Sequence, residues 1–214
     1  MSRAIGYVVP MVTFLSFTTL ESYFTGSWFA ALYVVKVCAV TAVLLAFKAP
    51  LRDIRVARNV VWSSVAVGLG VCVLWVVVDK VVPYPHVGTR SAFDPFALGT
   101  PFGIVGFLAA RFYGLVLMVP VMEELLWRSF LLRYLTDVDF EAVPLTGFSP
   151  FALWGMVISS ALVHPEWLVA ALASLIYALW LRRTASLFST VVAHATTNAA
   201  LGIYVIAARD WQYW

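Results

Sequence analysis

Charge is what this sequence has least of. Only 12% of its 214 residues are charged and 63% are hydrophobic, whereas soluble domains carry about 25% charged residues. That shortage excludes an ordinary soluble domain and predicts an integral membrane protein. The formal net charge is only +3, and the basic residues fall at segment ends. This is a pattern of membrane topology, not of a nucleic-acid surface, so no nucleic-acid partner is expected. Cysteine is limited to Cys38 and Cys72. Both sit inside apolar runs and read as buried free thiols, small hydrophobes in effect. No CxxC or Cys/His spacing suggests a structural zinc site. Linkers, low-complexity stretches and internal repeats are lacking too, so residues 1–214 read as a single membrane domain. Also missing are a serine in G-x-S-x-G context and an H-E-x-x-H pair, which removes two familiar hydrolase signatures.

Long apolar runs are what the chain has in quantity. A spanning helix needs about 20 apolar residues, and candidates lie at about 5–20, 28–47, 60–82, 102–122, 151–163, 167–181 and 187–207. The predicted fold class is all-α: a polytopic membrane bundle of about seven or eight transmembrane helices around an intramembrane polar cavity. No A-x-A-like cleavage site follows the first run, which is taken as the first membrane helix, bent or weakened at Pro10. Lys48, Arg52, Arg55 and Arg58 stand together between the second and third runs. The positive-inside rule places this connection, and the N-terminus with it, in the cytoplasm. Arg182 and Arg183 return there. The 80–100 connection, with Pro83, Pro85, Gly88 and Pro95, is then outside, and Trp211–Trp214 reads as an aromatic belt at the outer face. A bacterial inner (cytoplasmic) membrane is the expected location.

One stretch breaks the apolar pattern: Pro120-Val-Met-Glu-Glu-Leu-Leu-Trp-Arg-Ser-Phe-Leu-Leu-Arg133. An ionisable residue at bilayer depth is costly and marks function by default. Glu123 and Glu124 point about 100° apart on a helix. Arg128 lies four residues after Glu124, where a carboxylate–guanidinium pair forms readily. Glu124 therefore reads as a structural partner of Arg128, and Glu123 as the carboxylate left to face a cavity. Its natural partners are His164 and the pair His194/Asn198, which stand at i and i+4 on one helical face. Thr196 and Thr197 are expected to make interhelical hydrogen bonds. Depth is the difficulty. A helix from residue 102 to 134 would be about 50 Å long, more than a bilayer core. Pro120 is expected to break or kink it. Simple counting leaves Glu123 near the inner face and His164 near the outer one.

Together a carboxylate, two imidazoles and a carboxamide suffice for amide hydrolysis. A carboxylate in a low-dielectric cavity is a competent base toward water. A histidine can orient that water, and donors from a second histidine and an asparagine can hold the oxyanion.

At these residues the chain resembles the CAAX protease and bacteriocin-processing family of intramembrane glutamate endopeptidases. The EExxxR motif matches Glu123-Glu124-Leu-Leu-Trp-Arg128, FxxxH corresponds to Ser160-Ala-Leu-Val-His164, and HxxxN matches His194-Ala-Thr-Thr-Asn198. Order and spacing agree over about residues 100–205, the expected catalytic core. Ser160 replaces the usual phenylalanine, and Ser129 replaces a glycine that often follows the arginine. The resemblance implies a helical membrane fold with a cavity open toward the cytoplasm. It implies Glu123 as base, His164 helping to activate water, and His194 with Asn198 as the oxyanion site. It implies no cofactor, and a membrane-anchored protein or peptide as substrate.

Two other readings compete. A zinc hydrolase would use Glu123, His164 and His194 as a two-His, one-carboxylate ligand set, leaving Asn198 without an obvious role. A non-catalytic membrane immunity or binding protein would keep the same groups as a polar core. Substrate, cleavage site and oligomeric state are not legible.

Overall fold

Apolar length and end signals together make the helices. The structure, a computed structural model, describes residues 2–88 and 92–213. Its helices are α1 (Ser2–Glu21), α2 (Gly26–Ala46), α3 (Val61–Val81), α4 (Pro101–Tyr134), α5 (Pro150–Ala161), α6 (Trp167–Thr184) and α7 (Leu187–Ala208), and no strand occurs among the described residues. Thr100 and Ser149 cap α4 and α5, accepting from the amides of Gly103 and Ala152 at 3.1 Å each, and a proline follows each cap, the position where its missing N–H costs nothing. Ala185 and Arg209 end α6 and α7 in the left-handed conformation (φ 53° and 54°), a common helix stop.

Five of the segments are long and apolar enough to cross a membrane: Arg3–Glu21, Gly26–Ala46, Arg58–Val81, Pro101–Tyr134 and Leu187–Ala208. The remaining two helices make a hairpin. Helix α5 has 12 residues, about 18 Å, and stops well short of a core of about 30 Å.

Helical structure runs through Pro10 in α1, and Pro120 does not break its helix: α4 continues for 34 residues to Tyr134. Helix α4 absorbs Pro120 by widening into π turns at Gly114–Met118, with a second π stretch at Leu125–Leu131. Such turns occur mainly at functional sites. Cys38 is exposed on the bundle surface, and only Cys72 is buried.

The packing has two distinct ends. At one, Arg3 pairs with Glu141 (2.6 Å), Arg133 with Asp53 (2.9 Å), and Arg182 donates to the Phe148 carbonyl (3.1 Å). At the other, Lys80 pairs with Asp210 (3.0 Å), the Val87 amide donates to the Pro165 carbonyl (3.0 Å), and the Trp167 indole donates to that of Pro85 (2.8 Å). The terminal aromatic run belongs to this second end, but not as a belt. Tyr213 is buried and donates to Asp79 (2.6 Å), and Trp214 lies outside the described residues. Helices α3 and α7 cross closely because Gly68 has no side chain: a Cβ there would overlap the Ala193 carbonyl, the small-residue contact typical of membrane helices.

Candidate active site

Helix α4 presents the two glutamates to different surroundings. Glu124 is fully buried (0% exposed). Its Oε1 accepts from Arg128 Nη1 at 3.1 Å and from His194 Nδ1 at 2.9 Å. The second guanidinium nitrogen of Arg128 donates to the Ser174 carbonyl (3.1 Å) and hydroxyl (2.9 Å) on α6. Glu124 and Arg128 thus tie α4, α6 and α7 into one polar knot. Glu123 is 7% exposed, lines the central cavity, and makes no hydrogen bond or ion pair with another described residue. The expected division between the two glutamates is present in the geometry, with one change. His194 was expected beside Glu123, and it binds Glu124 instead.

That bond decides the state of His194. Glu124, charged and paired with Arg128, can only accept, so Nδ1 of His194 carries the proton, an assignment from the hydrogen-bond network. Nε2 is left for the cavity. It donates only when the ring holds both protons. The ring is stacked on Tyr177 (centroids 5.4 Å apart, planes at 23°). The Tyr177 hydroxyl donates to Thr197 (2.7 Å), whose own hydroxyl donates to the Gly68 carbonyl (2.8 Å). Thr197 makes the interhelical bond expected of it. Thr196 instead donates to the Val192 carbonyl of its own helix (2.8 Å).

Asn198 follows one turn later. Its Nδ2 donates to the Leu115 carbonyl at 2.9 Å. The π register explains why that carbonyl is open. The Val119 amide bonds to the carbonyl of Gly114, five residues back. The next donor in that register is Pro120, which has no N–H. Asn198 takes the vacant acceptor with one N–H and keeps its other.

His164 lies on the turn after α5. Its Nδ1 donates to the Ser160 carbonyl (2.9 Å), leaving Nε2 free. The edge of Trp75 meets the ring (centroids 6.2 Å apart) and gives it an aromatic neighbour although residue 160 is serine. Ser129, the other departure from the motif, is fully buried and bonded to Asp53 and Arg133. The short α5 answers the depth difficulty. By ending early it sets His164 within the bundle, and Glu123, His164, His194 and Asn198 all line one cavity of about 530 Å³.

The lining comes from one half of the bundle. It includes Thr18 and Glu21 of α1, Ser22 just after it, Lys36 of α2 and Val87–Gly88, but no residue of the 48–58 connection, of 135–149, or of Arg182–Arg183. The lining thus lies away from the basic end, toward which the cavity was expected to open. Beyond Arg128, Tyr7, Phe130 and Phe140, all buried and in ring contact, stand between the central cavity and a separate pocket at that end.

Trp75, Ser174 and Tyr177 were missed in the sequence. Ser174 and Tyr177 sit three apart on α6 and could have been noticed as a polar stripe; Trp75 carried no signal among nine tryptophans.

No curated protein and no solved structure matches the chain. The family model described as type II CAAX prenyl endopeptidase Rce1-like matches residues 105–200, the segment that holds Glu123, Glu124, Arg128, His164, His194 and Asn198. Over that segment the chain is similar to the CAAX protease and bacteriocin-processing family.

Proposed function

We propose that the protein is an intramembrane endopeptidase in which Glu123 activates water. The observation that carries this is the contrast between adjacent glutamates. Glu124 is consumed by Arg128 and His194, whereas Glu123 faces the cavity without a partner among the described residues and shares it with His164 and Asn198. Glu123 takes one proton from water while His164 Nε2 accepts a hydrogen bond from the O–H that remains and aims the oxygen. The hydroxide adds to the peptide carbonyl. The oxyanion is held by the remaining N–H of Asn198 and by Nε2–H of a doubly protonated His194, whose charge sits against Glu124. Glu123 then returns its proton to the leaving amine as the C–N bond breaks. The substrate is a membrane-anchored protein or peptide, cut near its C-terminal region. Single-turnover cleavage of such a substrate by wild type and Glu123→Gln tests the scheme.

The zinc reading predicts a different response. Among the described residues no three His, Cys, Asp or Glu side chains converge as a metal-binding group. Purified active enzyme is expected to keep its rate after exhaustive chelation. Loss of activity restored by zinc alone would favour the metallohydrolase.

For orientation, the end bearing Arg3, Lys48, Arg52, Arg55, Arg58, Arg133, Arg182 and Arg183 is proposed to face the cytoplasm of a bacterial inner membrane. A reporter fused after Arg55 should read cytoplasmic, and one fused near Gly88 external. The opposite readings would invert the assignment.

A further inference from the structure

We infer that the cavity opens to the non-cytoplasmic side of the membrane, and that the substrate is a membrane-anchored polypeptide presented from that side. Three observations converge. The cavity deepens toward Glu123, Arg128 and His194 and is walled, from there outward, by the later part of α1, the start of α2, the 87–88 segment and the 162–165 turn. Its exposed rim is Leu15, Thr18, Thr19 and Ser22 on one side and Leu162 and Val163 on the other. All of these lie away from the end where Lys48, Arg52, Arg55 and Arg58 cluster.

At the basic end a second pocket, lined by Arg3, Phe130, Tyr134, Phe140 and Glu141, shares no lining residue with the central cavity. Arg133 reaches Asp53 (2.9 Å), the Tyr7 hydroxyl donates to the same carboxylate oxygen (2.9 Å), and Leu132 has no exposed surface. No residue lining the central cavity comes from that layer.

The passage itself is polar. Lys36 pairs with Glu21 at 2.5 Å and lies over the rings of Phe14 and Tyr33, and Arg111 lies over the other side of the Tyr33 environment at 4.6 Å from that ring. Charges kept at bilayer depth line hydrated paths, and these three line this one. Arg111 and Glu123 are twelve residues apart on α4, about 18 Å. That length accommodates about five residues of extended chain. A gap whose rim is apolar at Leu15 and Leu162 and polar at Ser22 suits a chain entering beside its own membrane anchor.

The nature of the substrate rests on the endopeptidase reading; the direction of the opening does not. The test separates them. Ser22→Cys, Val163→Cys and, as a control for the other end, Val56→Cys are made in a background lacking Cys38 and Cys72. Intact cells are treated with a membrane-impermeant maleimide, then permeabilised and treated again. Ser22→Cys and Val163→Cys are expected to label in intact cells, and Val56→Cys only after permeabilisation. The reverse pattern, or rim cysteines that label only after permeabilisation, would overturn the inference. In parallel, anchored reporter peptides are displayed on either face in cells expressing wild type or Glu123→Gln. Cleavage of the external reporter alone, lost in Glu123→Gln, supports the substrate class, and cleavage of the internal reporter alone overturns it. External labelling with neither reporter cut would leave the direction standing and count against the endopeptidase.

Discussion

Glu123→Gln is expected to fold with an unchanged melting temperature and to lose at least about 10²–10⁴-fold in turnover, the range for a positioned acid–base group. Its side chain is bonded to no described residue and borders the cavity, so an isosteric amide disturbs no pairing. Glu124→Gln should behave in the opposite way. Its Oε1 holds both Arg128 and His194 at full burial. Neutralising it leaves the Arg128 charge uncompensated, a loss of about 3–5 kcal/mol when a buried pair is broken. A lower melting temperature in detergent, or a lower yield, should be the main symptom. Turnover also falls, because His194 loses the negative charge that fixes its Nδ1 proton and balances its doubly protonated form. The measurement is thermal unfolding beside single-turnover cleavage for both variants. If Glu123→Gln cleaves at a near-normal rate while Glu124→Gln is folded and dead, base and strut are reversed.

Asn198→Ala should cost about 10²–10³-fold in kcat, the usual effect of losing one oxyanion donor. The structure adds a second consequence. Removal of Nδ2 orphans the Leu115 carbonyl, and an unsatisfied buried acceptor costs about 1–3 kcal/mol. The two effects can be separated at Pro120. Pro120→Ala supplies the N–H that the π register points at Leu115. In that background Asn198→Ala is expected to regain its melting temperature but not its turnover. Recovery of both would reduce Asn198 to a structural role, and an unchanged kcat in the single variant would remove it from the oxyanion site.

The helices were legible in the sequence because a membrane protein must pair its backbone internally, and apolar runs of sufficient length leave few alternatives. Each predicted segment has a helix at its place. The Glu124–Arg128 pair was legible for a similar reason: i,i+4 spacing on a helix is local geometry and needs no knowledge of the rest of the fold.

What was not legible depended on register and on neighbours distant in sequence. Pro120 reads as a helix breaker until the π turn at Gly114–Met118 and the side chain of Asn198 together satisfy the carbonyl it leaves open. The spacing of His194 and Asn198 showed that they share a face, but not that His194 would bind Glu124 and leave Glu123 alone; that depends on how α7 is placed against α4. The Trp211–Tyr213 turn looked like an interfacial belt because composition does not reveal that Asp79 accepts from the Tyr213 hydroxyl. The sequence by itself determined a helical membrane bundle, the identity of the polar groups and the basic end. Only the tertiary structure decided which groups meet and toward which end their cavity lies. Both are set by packing between helices far apart in the chain, where hydrophobic periodicity carries no information.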